Sequence, residues 1–344
     1  MGPRCWLMRV TARDIAKESG VSQPTVSQIL NGKGHLYREE TRRRVFEAAE
    51  RLGYRPNTYA RAMRSGRMGA IALLMSCRAD RAVRQAGLQQ GIHDELLRHD
   101  LLLTSANVPD EAFAEASTDR TALPRLLREC NADGLLVAYA HDLPPGMQAA
   151  IDRDPMPAIW LNRLQPSNAV HPDDRAGAHA ATKHLIGLGH TKIAFLQAVS
   201  TAHYSSGERL AGYLDALVSA KLKPEIVRVE GPELEWCTQV LSWLSQPQRP
   251  TAVIAAAPQE AQTLIMACAH AGVRIPQQLS IVAISESALT HLGIDLTRIV
   301  VPFHDLGVHA VRMLLTRIES PREPLPSLAL PMPLIERAST ASIR

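Results

Sequence analysis

The stretch Val10-Thr11-Ala12-Arg13-Asp14-Ile15-Ala16-Lys17-Glu18-Ser19-Gly20-Val21-Ser22-Gln23-Pro24-Thr25-Val26-Ser27-Gln28-Ile29-Leu30-Asn31-Gly32 spells two short helices around a tight turn. Thr11 is a good N-cap, with Asp14 three residues on. Ile15 and Ala16 open an apolar stripe, and Gly20 breaks the helix with a residue that tolerates positive φ. Ser22 caps a second helix whose buried face is Val26, Ile29 and Leu30. Pro24 falls in its first turn, where a missing N–H costs little. Two short helices joined this way make a helix-turn-helix, a device for reading the DNA major groove.

A third helix is expected from Glu39 to Leu52, closed by Gly53. Val45, Ala48, Ala49 and Leu52 fall at helical spacing. Glu39, Glu40 and Glu47 stand four residues before Arg43, Arg44 and Arg51, a pattern of exposed pairs. Charge marks off this head. Residues 1–67 hold 14 Arg and Lys against 6 Asp and Glu, net +8, while the remainder holds 24 against 28, net −4. A cationic head on an anionic body points to a polyanionic partner for the head.

The head resembles that of the lactose-repressor (LacI-type) family of bacterial transcription regulators. The resemblance rests on Thr11-x-x-Asp14-Ile15-Ala16, Gly20-Val21-Ser22-x-x-Thr25-Val26-Ser27, Leu30-Asn31 and Leu52-Gly53-Tyr54-x-Pro56-Asn57-x-x-Ala60. It implies that Thr11, Ser22, Gln23, Thr25, Ser27, Gln28 and Asn31 meet a double-stranded DNA operator. Relatives usually carry Arg where this chain has Gln28. Arg reads guanine bidentately and Gln suits adenine. The linker that follows is implied to form a hinge helix contacting the minor groove through Asn57, Tyr59, Ala60 and Met63. Met63 stands where relatives place a leucine wedge.

From residue 68 the chain alternates strand-like and helix-like segments. Ala70–Ser76, Leu101–Ser105, Gly134–Tyr139 and Ala158–Leu161 read as buried strands, followed by a second series: Lys192–Leu196, Ile226–Val229, Ala252–Ala256 and Ser280–Ile284. Helices are expected over Asp80–Arg98, Gly177–Leu188, Gly207–Ala220 and Gln259–Ala271. The expected fold class is α/β: a helix-turn-helix head over 8–56, a hinge over 57–67, then a two-lobed body of doubly wound parallel sheets over 68–344. Lobe 1 is expected at about 68–166 and 297–325, and lobe 2 at about 167–296 and 326–340. Residues 1–7 read as an extension and are assigned no structure.

The body is similar to the periplasmic-binding-protein-like sensor of the same family through His184-Leu185-Ile186-x-Leu188-Gly189-His190-x-Lys192-Ile193-Ala194-Phe195 and Ser206-x-x-Arg209-x-x-Gly212-Tyr213. The likeness implies an effector between the lobes, held by Arg209 and by the strand-end residues Ser76, Asn162 and Ser285. Arg209 reads otherwise as a salt-bridge residue, the strand-end polar groups as turn formers, and Trp160 and Trp236 as core. Where many relatives carry an Asn-Asp pair, this chain has Ala257-Pro258. Where they carry another Asp, it has Ser285, with Glu286 beside it. These losses disfavour a plain hexose, and a sugar derivative or related metabolite with an anionic group facing Arg209 fits better.

Other chemistry is weakly represented. The sequence has no Gly-x-Gly-x-x-Gly after the first strand, no phosphate loop and no Gly-x-Ser-x-Gly elbow. Neither catalytic residues, metal ligands nor a cofactor site are expected. Five scattered cysteines suit a reducing compartment, and no signal peptide or membrane-spanning run is read, so a cytoplasmic protein is expected. The combined reading is a cytoplasmic regulator, a repressor, binding a palindromic operator as a homodimer under control of a small molecule. The alternatives are a regulator of the same fold with a ligand-blind cleft, a solute-binding protein, which the head argues against, and an α/β enzyme.

Overall fold

The protein is described from a computed structural model, which covers residues 10–54, 66–76, 86–108, 132–139, 143–199, 203–289, 293–320 and 323–343. The chain divides into two compact units, Met1–Met68 and Gly69–Arg344. The hinge residues Asn57, Tyr59, Ala60 and Met63 lie outside the described residues, as do residues 1–7 and the start of the helix expected from Asp80.

The head holds α1 (Ala12–Ser19), α2 (Gln23–Gln28) and α3 (Glu39–Arg51) around Ile15, Val26, Ile29, Val45 and Ala48. Asp14 closes the first helix as expected. Its carboxylate accepts from the Thr11 backbone N–H at 2.8 Å and from the Thr11 hydroxyl at 2.7 Å. Those hydrogen bonds, the hydroxyl's first, hold the Asp14 carboxyl below the usual range. Gly20 turns the chain at φ +67° and donates its N–H to Ala16. Ser22 caps α2, accepting from the Thr25 N–H at 3.3 Å.

The arginines of α3 depart from the expected pairs. Arg43 pairs forward with Glu47 at 3.6 Å, and Arg51 reaches Glu18 of α1 at 3.4 Å. Arg44, expected beside Glu40, donates its Nε to the Ser19 carbonyl at 3.1 Å and its Nη2 to the Ser19 and Gly20 carbonyls. The end of α1 carries unsatisfied carbonyls and the negative pole of the helix dipole, so a guanidinium there competes well against an exposed carboxylate.

The body contains two six-stranded sheets. The first joins β1 (Ala70–Ser76), β2 (Leu102–Val108), β3 (Gly134–Ala138), β4 (Ala158–Leu161) and β5 (Ala169–Pro172) with a late strand, β11 (Leu328–Leu330), in the order β11-β5-β4-β3-β1-β2. The second joins β6 (Ile193–Ala198), β7 (Glu225–Val229), β8 (Ala252–Ala255), β9 (Ser280–Ser285), β10 (Thr297–Val300) and β12 (Leu334–Ile335), in the order β12-β10-β9-β8-β6-β7. All pairings are parallel except β10 with β12. The apolar runs are buried because parallel strands are covered by helices on both faces.

Among the described residues, the helices of lobe 1 are α4 (Ala86–Arg98), α5 (Met147–Arg153) and α10 (Phe303–Glu319). Lobe 2 has α6 (Asp174–Gly187), α7 (Tyr204–Ala220), α8 (Glu233–Leu244) and α9 (Pro258–Ala271). The lobe bounds differ from the expected ones. β5 and β11 belong to the first sheet, although residues 167–296 and 326–340 were assigned to lobe 2. β10 belongs to the second sheet, although 297–325 was assigned to lobe 1. The chain therefore passes between lobes three times: after β5, after β10 and after β11. The strands that make these passages are four residues long or shorter, so they give little periodic signal.

Each lobe has a tight helix pair that includes a helix entering from the other lobe. In lobe 1, α4 meets α10 at Gly91 and Gly307. A side-chain carbon at Gly91 would overlap the His304 carbonyl, and one at Gly307 would overlap that of Leu88. In lobe 2, Gly212 of α7 meets the Arg175 carbonyl of α6 in the same way. Glu95 then ties the first pair. Only 3% exposed, it accepts from Arg312 Nε at 2.7 Å and Nη2 at 3.2 Å, with Arg98 as a second partner.

The Arg312 hydrogen bonds hold Glu95 well below the usual carboxylate range, at about 2. Its stabilising effect is therefore complete above the ordinary value near 4.5 and is lost as pH falls through 2. Glu95→Gln should lower unfolding stability at pH 7 by about 1.5–3 kcal/mol, the range for hydrogen bonds to charged groups. Urea melts of both proteins should converge as pH drops below the ordinary glutamate range. A deficit that persists unchanged into acid would refute the ion-pair origin.

Candidate DNA-reading face and inter-lobe cleft

On the head, Val26 and Ile29 point inward, so α2 turns its polar residues outward. Ser22, Gln23, Gln28 and Asn31 are exposed, while Thr25 and Ser27 are half-buried. Ser22 and Thr25 share a hydrogen bond between hydroxyls at 2.8 Å. Asn31, in the turn after α2, donates to the Ser27 carbonyl and, at 3.3 Å, to its hydroxyl. Gln28 accepts from the Tyr37 hydroxyl at 2.8 Å, a partner with no signal in the sequence. Thr11 sits at the exposed start of α1. Six of the seven expected head residues thus lie on one short helix and its flanks, with Thr11 at the other helix start. Of the positive charge counted in the sequence, Arg43, Arg44 and Arg51 are engaged within the head.

In the body, Arg209 of α7 is 11% exposed. Its Nε donates to Asp174 at 2.7 Å, and its Nη1 donates to the Ala256 carbonyl at 2.7 Å. Asp174 is itself almost fully buried. The charge of Arg209 is therefore balanced by Asp174, while these two contacts use only two of the guanidinium's five N–H groups. Tyr204 lies beside the same carboxylate. Burial, and then the Asp174 charge, push its hydroxyl pKa upward.

The strand-end residues divide between the sheets. Ser76 ends β1, in register with Val108. Asn162 follows β4 with φ +53°, and its N–H donates to the Val170 carbonyl at 2.8 Å. Ser285 ends β9, and its hydroxyl donates to the Ser287 carbonyl at 2.7 Å, as a turn former does.

His203 bridges the lobes. Its Nδ1 accepts from the Ser205 N–H at 3.3 Å, so the ring proton sits on Nε2 and is donated to the Asn162 carbonyl at 2.9 Å. Glu286 extends from lobe 2 over Gly87 of α4 and is half-buried, which pushes its carboxyl pKa upward. Trp160 and Trp236 are core residues, 3% and 6% exposed. Among the described residues, no cluster of His, Cys, Asp and Glu is arranged to hold a metal. No described helix is long and apolar enough to cross a membrane.

A reading helix on a cationic head, followed by two parallel-sheet lobes facing across a cleft, defines a DNA-binding regulator with a sensor body. Comparison with known proteins agrees. The family described as "Bacterial regulatory proteins, lacI family" matches residues 11–57, and "Periplasmic binding protein-like domain" matches residues 182–340. The HTH-type transcriptional repressor PurR of Edwardsiella ictaluri is 30% identical over 340 residues, covering 96% of this chain and 97% of its own. Catabolite control protein A of Priestia megaterium is 26% identical over 316 residues, covering 89% and 92%.

Among solved structures, the lac repressor bound to ONPG in the repressed state gives a TM-score of 0.80 at 25% identity, over 96% of this chain and 100% of that one. The lac repressor dimer bound to operator and the anti-inducer ONPF gives 0.79 at 24%, over 97% and 100%, a likeness of fold. The chain belongs to the lacI family of bacterial regulatory proteins. It is a DNA-binding transcription regulator with a ligand-binding type of body, and PurR, its relative at 30% identity, is a transcriptional repressor.

The buried ion pair can be tested directly. Asp174→Ala leaves the Arg209 charge uncompensated, and breaking a buried pair on one side costs about 3–5 kcal/mol. The double variant Asp174→Ala/Arg209→Met should recover part of that loss. A double variant no more stable than the single one would show that the cost does not lie in the stranded charge.

Proposed function

We propose that this regulator is a repressor that binds a palindromic operator as a homodimer in the cytoplasm. Each α2 lies in the major groove, with Gln23 and Gln28 at base edges and Thr25 and Ser27 mainly on phosphates. The observation that carries this reading is the outward polar face of α2, fixed from below by Val26 and Ile29. One head reads only half a site, which calls for a pair of heads on a two-fold operator. The relatives whose descriptions mention repression and an operator-bound dimer support the same arrangement.

Gln28→Arg should change base preference at one position per half-site, by about 1–3 kcal/mol. Selection from randomised duplexes checks this; an unchanged preference removes Gln28 from the readout. Operator affinity should also fall with salt, with a log–log slope of roughly −0.9 per phosphate neutralised. Arg44, bonded to the Ser19 and Gly20 carbonyls, is expected to add little to that slope.

For the body we propose a small polar effector between the lobes, near Asn162, Arg209 and the ends of β1 and β9 at Ser76 and Ser285. The Arg209–Asp174 pair supports a neutral ligand over an anionic one, because an anion there would meet Asp174 as well as Arg209. Ala257 and Pro258 supply no side-chain hydrogen bonds, which disfavours a plain hexose. A second reading, a cleft that takes no ligand, is supported by Ala257 and Pro258, which offer a ligand no side-chain hydrogen bond, and by the pairing of Arg209 with Asp174. Calorimetric titration of the full chain separates the two. Binding of a neutral sugar derivative in preference to sugar acids and sugar phosphates supports the first, and tight binding of a sugar phosphate would overturn it. No heat across the panel supports the second.

A further inference from the structure

We propose that Tyr37 is a positioning residue for base readout: it holds the Gln28 carboxamide in the orientation that recognises adenine. The inference rests on the reading above that Gln28 faces a base, and it adds what sets that residue's choice.

Gln28 is the last residue of α2 and is exposed. A free glutamine at such a position explores many rotamers, and its amide can present either end to the groove. Ordering it on DNA costs conformational entropy, and the two amide orientations read different edges. Tyr37 removes that freedom. Its ring packs against the head core, and its backbone N–H donates to the Gly34 carbonyl at 2.9 Å, so the hydroxyl starts from a fixed point. From there it donates to Gln28 Oε1 at 2.8 Å.

The chemistry of the amide does the rest. Oε1 has two acceptor positions and Nε2 has two N–H donors. With one acceptor position taken by Tyr37, the amide retains one acceptor and both donors. Adenine asks for one acceptor, for its N6 amino group, and one donor, for N7. The groups left over are therefore sufficient for the bidentate contact, and in this arrangement the oxygen is the end held by Tyr37. Nothing in the sequence signals this pairing, because Tyr37 lies nine residues downstream in the turn before α3.

The test uses the full-length chain and a library of randomised duplexes of roughly two half-sites, one helical turn apart. Wild type, Tyr37→Phe and Gln28→Ala are each taken through selection and sequencing. Tyr37→Phe keeps the packed ring and removes only the hydroxyl. The expected result is a fall in adenine preference of about 3- to 10-fold at the one position per half-site that Gln28→Ala also flattens. Preferences elsewhere, non-specific affinity and the thermal midpoint should stay at wild-type values.

A merely structural tyrosine would move the thermal midpoint or weaken all sequences alike, and that result overturns the proposal. So does a Tyr37→Phe protein with the wild-type preference at a position that Gln28→Ala flattens, and in that case the Gln28 readout itself survives. If Gln28→Ala flattens no position, the underlying readout fails and the role of Tyr37 falls with it.

Discussion

The body depends on one steric constraint: α4 and α10 cross with backbone against backbone. Gly91 and Gly307 permit it, and Glu95 with Arg312 fixes the register from the rim. Because α10 follows directly from β10 of the other lobe, this contact also anchors a passage between lobes. Lobe 2 repeats the arrangement with α6, which arrives from β5, against Gly212 of α7. The first βα helix of each lobe is thus clamped by a helix from across the junction. Both lobes then present their strand ends to a shared gap. His203 and Glu286 reach across it from lobe 2, toward Asn162 and Gly87 of lobe 1.

The head solves a smaller version of the same problem. A three-helix unit with five buried apolar side chains among the described residues has little apolar area to lend rigidity. It adds local hydrogen bonds instead: Asp14 closes the start of α1, Arg44 its end, and Ser22 the start of α2. These bonds decide where the outward residues of α2 stand. Arg44 is committed to the carbonyls at the end of α1 before any phosphate arrives.

Much of this was legible in the sequence. The Thr11–Asp14 cap, the Gly20 turn and the Ser22 cap are short-range devices, and each appears where its residues stand. The buried strands of both series were legible because apolar runs such as Ala70–Ser76 and Ala252–Ala256 need covering on both faces. What escaped was long-range. β5, β10, β11 and β12 have two to four residues each and are strands only because a neighbour pairs with them. The stripe Leu306, Ala310, Val311 and Leu314 of α10 was a readable helix signal, broken to the eye by Gly307 and two histidines. Arg209 stands out in the sequence by its motif, but its partner Asp174 does not. An acid at a helix start is ordinary, and only the fold brings it to an arginine 35 positions away. Tyr37 was invisible for the same reason.

The three passages between lobes bear on how such a protein can be taken apart. Neither lobe corresponds to a continuous piece of chain: lobe 1 needs the β5, α10 and β11 segments, and lobe 2 needs what lies between and after them. No single cut separates the two lobes, because each piece left by a cut still carries segments of both or lacks a late segment of one, and grafting one lobe onto another regulator would require three matched joints. The head, by contrast, is a separate compact unit ending at Met68. Exchange at that one junction therefore pairs a reading head with a different whole body, whereas a single lobe cannot be exchanged at one joint.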